Sequence, residues 1–497
     1  MEIADKFKEV ETEEETLDPT DWSQLKDLGC RMVVDMMNYL ESVRERPVWQ
    51  PIPNTVKEFF TKPIPTDPEG VDKTYQDFLE KILPYPTGNI HPRFWGWVIG
   101  TGTPLGMLAE MLAAGMNPNV GGLDHVANHV EAQVINWFKE IMGFPSTASG
   151  LLVSGGSMAN LVGLTVARNT MARYEVRKDG LQAATQKMTI YSSEETHLSN
   201  QKAIEILGLG SDAFRKIPVN EEFQINIERL KACISEDREY DYHPVCIIGN
   251  AGSVNTGAFD DLDTLANICD QENMWFHVDG AFGALAILSP KLRSLVSGIN
   301  KADSLAFDLH KWMYMPYEVG CTLVRREEDH KKSFSESADY VAHHSRGIAG
   351  GEIWYVDYGV QMSRGFRALK VWMGIKEQGI RKYGRLIQQN VEQAQYLEKL
   401  IQVSAELEIL APVSLNIVCF RFVVDRLDNS SLNNINKEIL IRLHENGIAA
   451  PSYTMIDNKY SLRVAITNHR SRREDFDVLV KAVLEIGREL QKSYFPS

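Results

Sequence analysis

Between about residues 145 and 330 the chain repeats one pattern. A short apolar run is followed by a glycine-rich or polar break, then by a longer stretch with apolar residues at helical spacing. The runs are GLLVSG (150–155), MTIYSS (188–193), PVCIIGN (244–250), MWFHVD (274–279), SLAFDL (304–309) and GCTLVRR (320–326). Stretches such as DLDTLANICDQEN between them suit crossover helices. This alternation predicts an α/β fold: a mostly parallel central sheet flanked by helices.

The two flanks read differently. LKDLGCRMVVDMMNYLESV places Leu28, Met32, Met36 and Leu40 at helical spacing. WQPIPNTVKEFFTKPIPTDPEG then interrupts helix with repeated proline. Such a segment has little core of its own and is expected to pack on something larger. A long helix is expected from about Phe366 through ALKVWMGIKEQG. After about residue 390, LNIVCFRFV (415–423), YSLRVAI (460–466) and the helical REDFDVLVKAVLEIGRELQ predict a small C-terminal α+β lobe. The expected organisation is therefore an N-terminal helical arm (1–85), a large domain (86–388) and a small domain (389–497).

A chain of 497 residues is long enough for such lobes. Lys plus Arg total 52 against 67 Asp plus Glu, a formal net charge of -15, and no long basic run occurs. Nucleic acid is therefore not an expected partner. No apolar run approaches the ~20 residues that cross a bilayer, and the acidic ETEEETLDPTD near the N-terminus is unlike a secretory signal. The six cysteines, Cys30, Cys233, Cys246, Cys269, Cys321 and Cys419, form no CxxC pair. They read as buried reduced thiols, which points to a cytoplasmic protein without a membrane partner.

Candidate chemistry collects where strands end. In VSGGSMANL, a strand runs into Gly155, Gly156 and Ser157 and then a helix, an arrangement that suits a phosphate. The alternative is an ordinary glycine turn with Ser157 as N-cap. In YSSEETHLSNQKA, His197 is either structural or a flat surface for stacking a planar ring. In HVDGAFG, Asp279 ends an apolar strand, where a carboxylate needs a partner. It is either a helix N-cap or the counter-ion of a buried positive charge. In FDLHKWMYMP, Lys311 sits inside a hydrophobic run. It could snorkel to the surface, pair with a nearby carboxylate, or act as a nucleophile. A phosphate cradle, a stacking surface, a carboxylate and a lysine are needed together by pyridoxal 5'-phosphate (PLP) chemistry. A simple ion pair would explain the lysine and the aspartate but not the phosphate turn.

In these segments the chain resembles the group II PLP-dependent amino-acid decarboxylases, the family that includes aromatic-L-amino-acid decarboxylase. HPRFWGWV (91–98), VSGGSMANL, YSSEETHLS, HVDGAFG, HKW (310–312) and MSRGFRALKVW (362–372) follow the family's order over nearly the whole chain. The resemblance implies the PLP-dependent transferase fold type I and a homodimer whose N-terminal arms wrap around each other. It implies that Lys311 holds PLP as a Schiff base, with His310 beside the phosphate. Gly155, Gly156 and Ser157 would hold the phosphate, and Ser363 would approach it from the other subunit. Asp279 would pair with the pyridinium nitrogen, and Ala281 and His197 would pack against the ring.

The same resemblance makes SFSESADYVAHHSRGIAGGE (333–352) a mobile lid. Tyr340 in it would protonate the former α-carbon, helped by His197. Relatives with phenylalanine there form aldehydes oxidatively, so Tyr340 favours amine production. Two segments depart from the family. GSVNTGAFD (252–260) replaces a threonine-rich turn, and HPRFWGWV replaces a phenylalanine- and tyrosine-rich segment of the animal enzymes. Trp95, Trp97 and Val98 are expected to form an aromatic and apolar substrate wall, with Arg93 the one cation in that segment. The expected activity is decarboxylation of an aromatic L-amino acid (tryptophan, tyrosine, phenylalanine or dihydroxyphenylalanine) to the amine and CO2. The alternatives are glutamate or another acidic amino acid as substrate, or an oxidative aldehyde synthase. No metal site is expected, because His343 and His344 lack ligand spacing.

Overall fold

A computed structural model describes residues 15–336 and 346–492. The chain divides into two compact units, Met1–Glu45 with Pro53–Pro84, and Arg46–Ile52 with Tyr85–Ser497.

In the first unit the helical spacing of 25–43 is realised as the helix Trp22–Glu41, capped by Asp21, which accepts from the Ser23 amide at 2.8 Å. Of the four residues on its expected apolar face, only Leu28 is buried. Polar ties help to fasten the unit: Tyr75 Oη donates to Asp35 at 2.8 Å, and Arg31 pairs with Asp72 at 3.1 Å. Trp22, Leu25, Val34, Phe60, Ile64 and Val71 are exposed.

The second unit carries β1 (Phe94–Trp95), β2 (Ser149–Val153), β3 (Met188–Ser193), β4 (Phe214–Ile217), β5 (His243–Asn250), β6 (Trp275–Asp279), β7 (Ser304–Asp308), β8 (Gly320–Val324), β9 (Leu407–Ile409), β10 (Ile417–Phe422), β11 (Ala450–Ile456) and β12 (Lys459–Ala465). One sheet has the order β2-β8-β7-β6-β5-β3-β4. Its pairs are parallel except those made by β8 with β2 and β7. The reversal has a steric cause. Residues 309–319 between β7 and β8 hold only the short helix Leu309–Trp312, and a parallel crossover needs a dozen or more residues. The six expected strands are all present, β3 with the expected bounds and the other five trimmed or extended by a residue or two.

The second sheet, β1-β11-β12-β10-β9, is covered by the helices Ile380–Gln402, Asn429–Glu445 and Arg473–Gln491. The last buries Phe476, Leu479, Val483 and Ile486, the three-and-four spacing of one helical face. The helix expected from about Phe366 through ALKVWMGIKEQG is Ala368–Gln378, and Gly379, at a left-handed φ of 68°, ends it before the next helix, Ile380–Gln402. All six cysteines are free, but Cys30 is exposed and Cys233 half-buried, so the expected burial holds for four of them. Among the described residues no helix is long and apolar enough to cross a membrane.

Candidate active site

The strands β2, β3, β5, β6 and β7 run the same way, and β8 opposes them. Their carboxyl ends and the start of β8 therefore share one edge, the edge of an open sheet where ligands bind. Gly155, His197, Asp279 and Lys311 all lie within a few residues of it.

The helix Gly156–Met171 begins directly after β2 with Gly155 as N-cap and no side chain closing its end. Its first amides are thus left for a ligand. Ser157 lies inside the first turn, which removes the N-cap alternative. A cavity of about 420 Å³ lies against this turn, lined by Gly155, Gly156, Ser157, Asp308, His310 and Lys311, among others. A second cavity of about 160 Å³ is walled by Trp97, Val98, Val254, Phe282 and Asp279. His197, Ala281 and Lys311 line both.

Lys311 Nζ pairs with Asp308 Oδ2 at 2.9 Å. Asp308 is 1% exposed, and its Oδ1 has no hydrogen-bond partner, with His310 Nδ1 3.9 Å away. The lysine in the hydrophobic run thus has its carboxylate three residues back, one helical turn away. Asp279 is a pure acceptor. Its Oδ1 takes the Ala281 amide at 3.1 Å, and its Oδ2 takes Asn160 Nδ2 at 2.9 Å and Asn200 Nδ2 at 2.7 Å. It caps no helix.

His197 is the N-cap of the helix Leu198–Ile206, and its Nδ1 accepts from the Ser199 amide at 3.2 Å and meets Ser199 Oγ at 2.8 Å. With Nδ1 occupied, the neutral ring carries its proton on Nε2. Burial holds this histidine below its ordinary pKa, so neutral is its state near pH 7. The structural reading of His197 is met, and its ring also lines both cavities. Burial likewise lowers His310, whose Nδ1 lies 2.9 Å from the Val319 carbonyl and whose ring packs on Tyr317 at 4.4 Å between centroids.

Three expectations fare differently. Trp95 is not on the substrate wall. It is 1% exposed, stacks on Phe476 at 4.7 Å, and donates from Nε1 to Ser471 Oγ at 3.0 Å, in the core of the second sheet. Ser363 is exposed and lines neither cavity. Tyr340 lies outside the described residues, as do His343 and His344.

Sequence reasoning missed several members of the site. Asp308 stood in the quoted run FDLHKW, and a carboxylate inside an apolar strand was its signal. Asn160 and Asn200 each sit on a helix behind a strand-end motif and had no signal of their own. Arg463 of β12 is buried, and every partner it has is uncharged. It donates to the carbonyls of Trp97 (3.0 Å) and Asn255 (3.0 Å), to that of Val254, and to Ser452 Oγ (3.0 Å). Burial lowers its pKa to about 10. It ties together the two loops that wall the small cavity.

The pyridoxal-dependent decarboxylase conserved domain matches residues 53–423. The chain belongs to the pyridoxal-dependent decarboxylase family. This decarboxylase is 33% identical to an aromatic-L-amino-acid decarboxylase of Bacillus atrophaeus over 95% of this chain and 97% of that one. It is 27% identical to a phenylacetaldehyde synthase of Petunia hybrida over 88% and 89% of the two chains. Its fold is fold type I, that of solved PLP decarboxylases. The crystal structure of Oryza sativa TDC with PLP and tryptamine superposes with a TM-score of 0.89 over 96% of this chain and 100% of that one, at 22% identity. The decarboxylase is a PLP-dependent carboxy-lyase, and its cofactor is pyridoxal 5'-phosphate.

The residues present fit that cofactor. At Gly156 a Cβ would lie 2.8 Å from Asp308 Oδ2, so only glycine leaves the cradle open beside the helix amides. Asp279 offers a buried carboxylate held by donors alone, and Lys311 offers an amine at the junction of the two cavities.

Proposed function

We propose that the enzyme removes the α-carboxylate of an aromatic L-amino acid (tryptophan, tyrosine, phenylalanine or dihydroxyphenylalanine) and releases the amine and CO2. The observation that carries this is the wall of the small cavity. Trp97, Val98, Val254 and Phe282 face it, and among the described residues Lys311 is its one cationic lining residue. An acidic side chain placed there would lose its hydration without a partner, which is costly. Arg463 stands behind the wall, but its bonds go to backbone carbonyls and Ser452.

In this reading Gly155, Gly156, Ser157 and His310 hold the cofactor phosphate, Lys311 holds the cofactor covalently, and Asp279 pairs with its ring nitrogen. Ala281 and His197 flank the ring. PLP, when bound, supplies an electron sink for the charge left by the departing carboxylate. The chain's own part is orientation, dryness and protons. Trp97, Val98 and Phe282 exclude water from the small cavity. His197, neutral with its proton on Nε2, stands at the boundary of the two cavities. Tyr340 is the proposed proton donor to the former α-carbon, with His197 as its helper. The proposed assembly is a homodimer in which the arm of residues 1–85 packs on the partner and Ser363 approaches the partner's phosphate site. The exposed apolar side chains of the arm support it.

The resemblance to a phenylacetaldehyde synthase supports one second reading, oxidative aldehyde formation. Product analysis separates them. Purified protein with PLP is given tryptophan, tyrosine, phenylalanine, dihydroxyphenylalanine and glutamate, and amines, aldehydes and peroxide are followed. An aromatic amine without peroxide supports the proposal. Aldehyde with peroxide supports the second reading, and γ-aminobutyrate overturns the reading of the wall.

A further inference from the structure

Behind Asp279 runs a chain of buried hydrogen bonds that starts at a group able only to donate. The Trp275 indole Nε1 can only donate, and it donates to Ser304 Oγ at 2.8 Å. Ser304 Oγ lies 2.7 Å from His277 Nδ1, and His277 Nε2 lies 2.9 Å from Asn160 Oδ1. Asn160 Nδ2 donates to Asp279 Oδ2 at 2.9 Å. An amide oxygen only accepts, so His277 Nε2 carries the proton, and Nδ1 accepts from the Ser304 hydroxyl. Every bond then points toward the carboxylate.

In the reverse polarity Asn160 would turn its oxygen to Asp279 and its amino group to His277, and one donor at the carboxylate would be replaced by an acceptor. The observed bond order instead gives Asp279 a donor from Asn160. Two further donors, Asn200 Nδ2 and the Ala281 amide, converge on the same group. The relay also has no slack. Trp275, His277, Ser304 and Asn160 are all buried. At Gly163 of the overlying helix a Cβ would lie 2.8 Å from His277 Cε1, so the imidazole is clamped between helix and sheet. Burial drives the His277 pKa down to about 4, so the ring stays neutral and keeps its tautomer.

We propose that Ser304, His277 and Asn160 are positioning residues that hold Asp279 aimed as a hydrogen-bond acceptor, and so set how strongly the site selects a cofactor ring that carries a protonated nitrogen. This rests on the assignment of Asp279 to that nitrogen. The test compares the affinity of the apoprotein for PLP and for its analogue with the ring nitrogen replaced by carbon, read by fluorescence quenching. The quantity is the ratio of the two affinities.

Asp279→Asn comes first and is expected to bring the ratio close to one. A ratio unchanged in that variant refutes the assignment itself. His277→Phe and Asn160→Leu are then expected to lower the ratio about five- to tenfold, the size of one ordinary hydrogen bond, while affinity for the analogue stays within about twofold. If both affinities fall together, or the ratio keeps its wild-type value while Asp279→Asn erases it, the relay is only structural and the proposal is wrong. Should either variant fail to fold, Ser304→Ala breaks the same chain by removing one hydroxyl and decides by the same ratio. His277→Gln, whose amide can donate to Asn160 and accept from Ser304, is expected to restore it.

Discussion

Trp95 and Trp97 stand two residues apart and are used in opposite ways, which makes them a sharp test. Trp95 is 1% exposed and Trp97 is 58% exposed. Trp95 stacks on Phe476 and donates to Ser471, whereas Trp97 lines the small cavity and holds a left-handed φ of 54°. Removing a buried indole from a packed core costs about 3–5 kcal/mol, and the lost hydrogen bond adds about 1 kcal/mol. Against a typical domain stability of about 5–15 kcal/mol, Trp95→Ala is expected to fold poorly. Trp95→Phe keeps the stacking and is the measurable form, with an expected loss of about 1–2 kcal/mol. Trp97→Gly removes left-handed strain worth about 1–2 kcal/mol but gives part of that back as glycine's extra unfolded-state entropy. Its stability is expected to be unchanged or raised by up to about 1 kcal/mol. Its cost falls on the substrate. If an aromatic side chain covers about 50 Å² of the indole, at about 25 cal/mol per Å² the loss is about 1.2 kcal/mol, or roughly eightfold in kcat/KM for tryptophan. Urea unfolding and decarboxylation kinetics on the two variants measure both effects. The reasoning is refuted if Trp97→Gly destabilises by more than about 1 kcal/mol, or if Trp95→Phe alters the ranking of substrates without any loss of stability.

Further expectations follow from other parts of the molecule. His277, His330 and His469 are buried with pKa values lowered by burial to about 4. The unfolded chain binds their protons from about pH 6.5 downward and the folded chain does not, so their contribution to stability is present above 6.5 and is lost as pH falls toward 4. Each contributes on the order of 3 kcal/mol across that window, and a series of urea midpoints should decline through it, with a shallower decline in His330→Gln. Arg364 pairs with Glu131 at 2.5 Å, both almost wholly buried. Arg364→Leu strands that carboxylate and is expected to cost about 3–5 kcal/mol, visible as a lowered Tm, and a change below 1 kcal/mol would count against the pairing. Lys311→Ala is expected to abolish borohydride-stable attachment of PLP, read by intact mass, and persistence of the adduct would move the nucleophile elsewhere. Tyr340→Phe is expected to shift product from amine toward aldehyde with peroxide, and an unshifted product ratio would remove Tyr340 from the protonation step.

Which residues the chain disclosed in advance has a physical pattern. Gly155, Asp279 and Lys311 were legible because each breaks an apolar run, and His197 because it follows one closely; such positions fall at strand ends, where an open sheet binds its ligands. The error at Trp95 has the same root. Strand alternation puts residues 95 and 97 on one face, but β1 ends at Trp95, and the chain turns left-handed at Trp97. The missed strand β4 lies at the sheet edge with Lys216 exposed, so its apolar signal is diluted. Members that act through a partner left no local trace at all. Asn160 and His277 are 117 residues apart and meet only because Gly163 lets a helix settle onto the sheet. A buried carboxylate is therefore visible as a flaw in a hydrophobic pattern. The groups bonded behind it are polar residues in an otherwise ordinary helix and strand, and only packing shows that they join in one hydrogen-bonded chain.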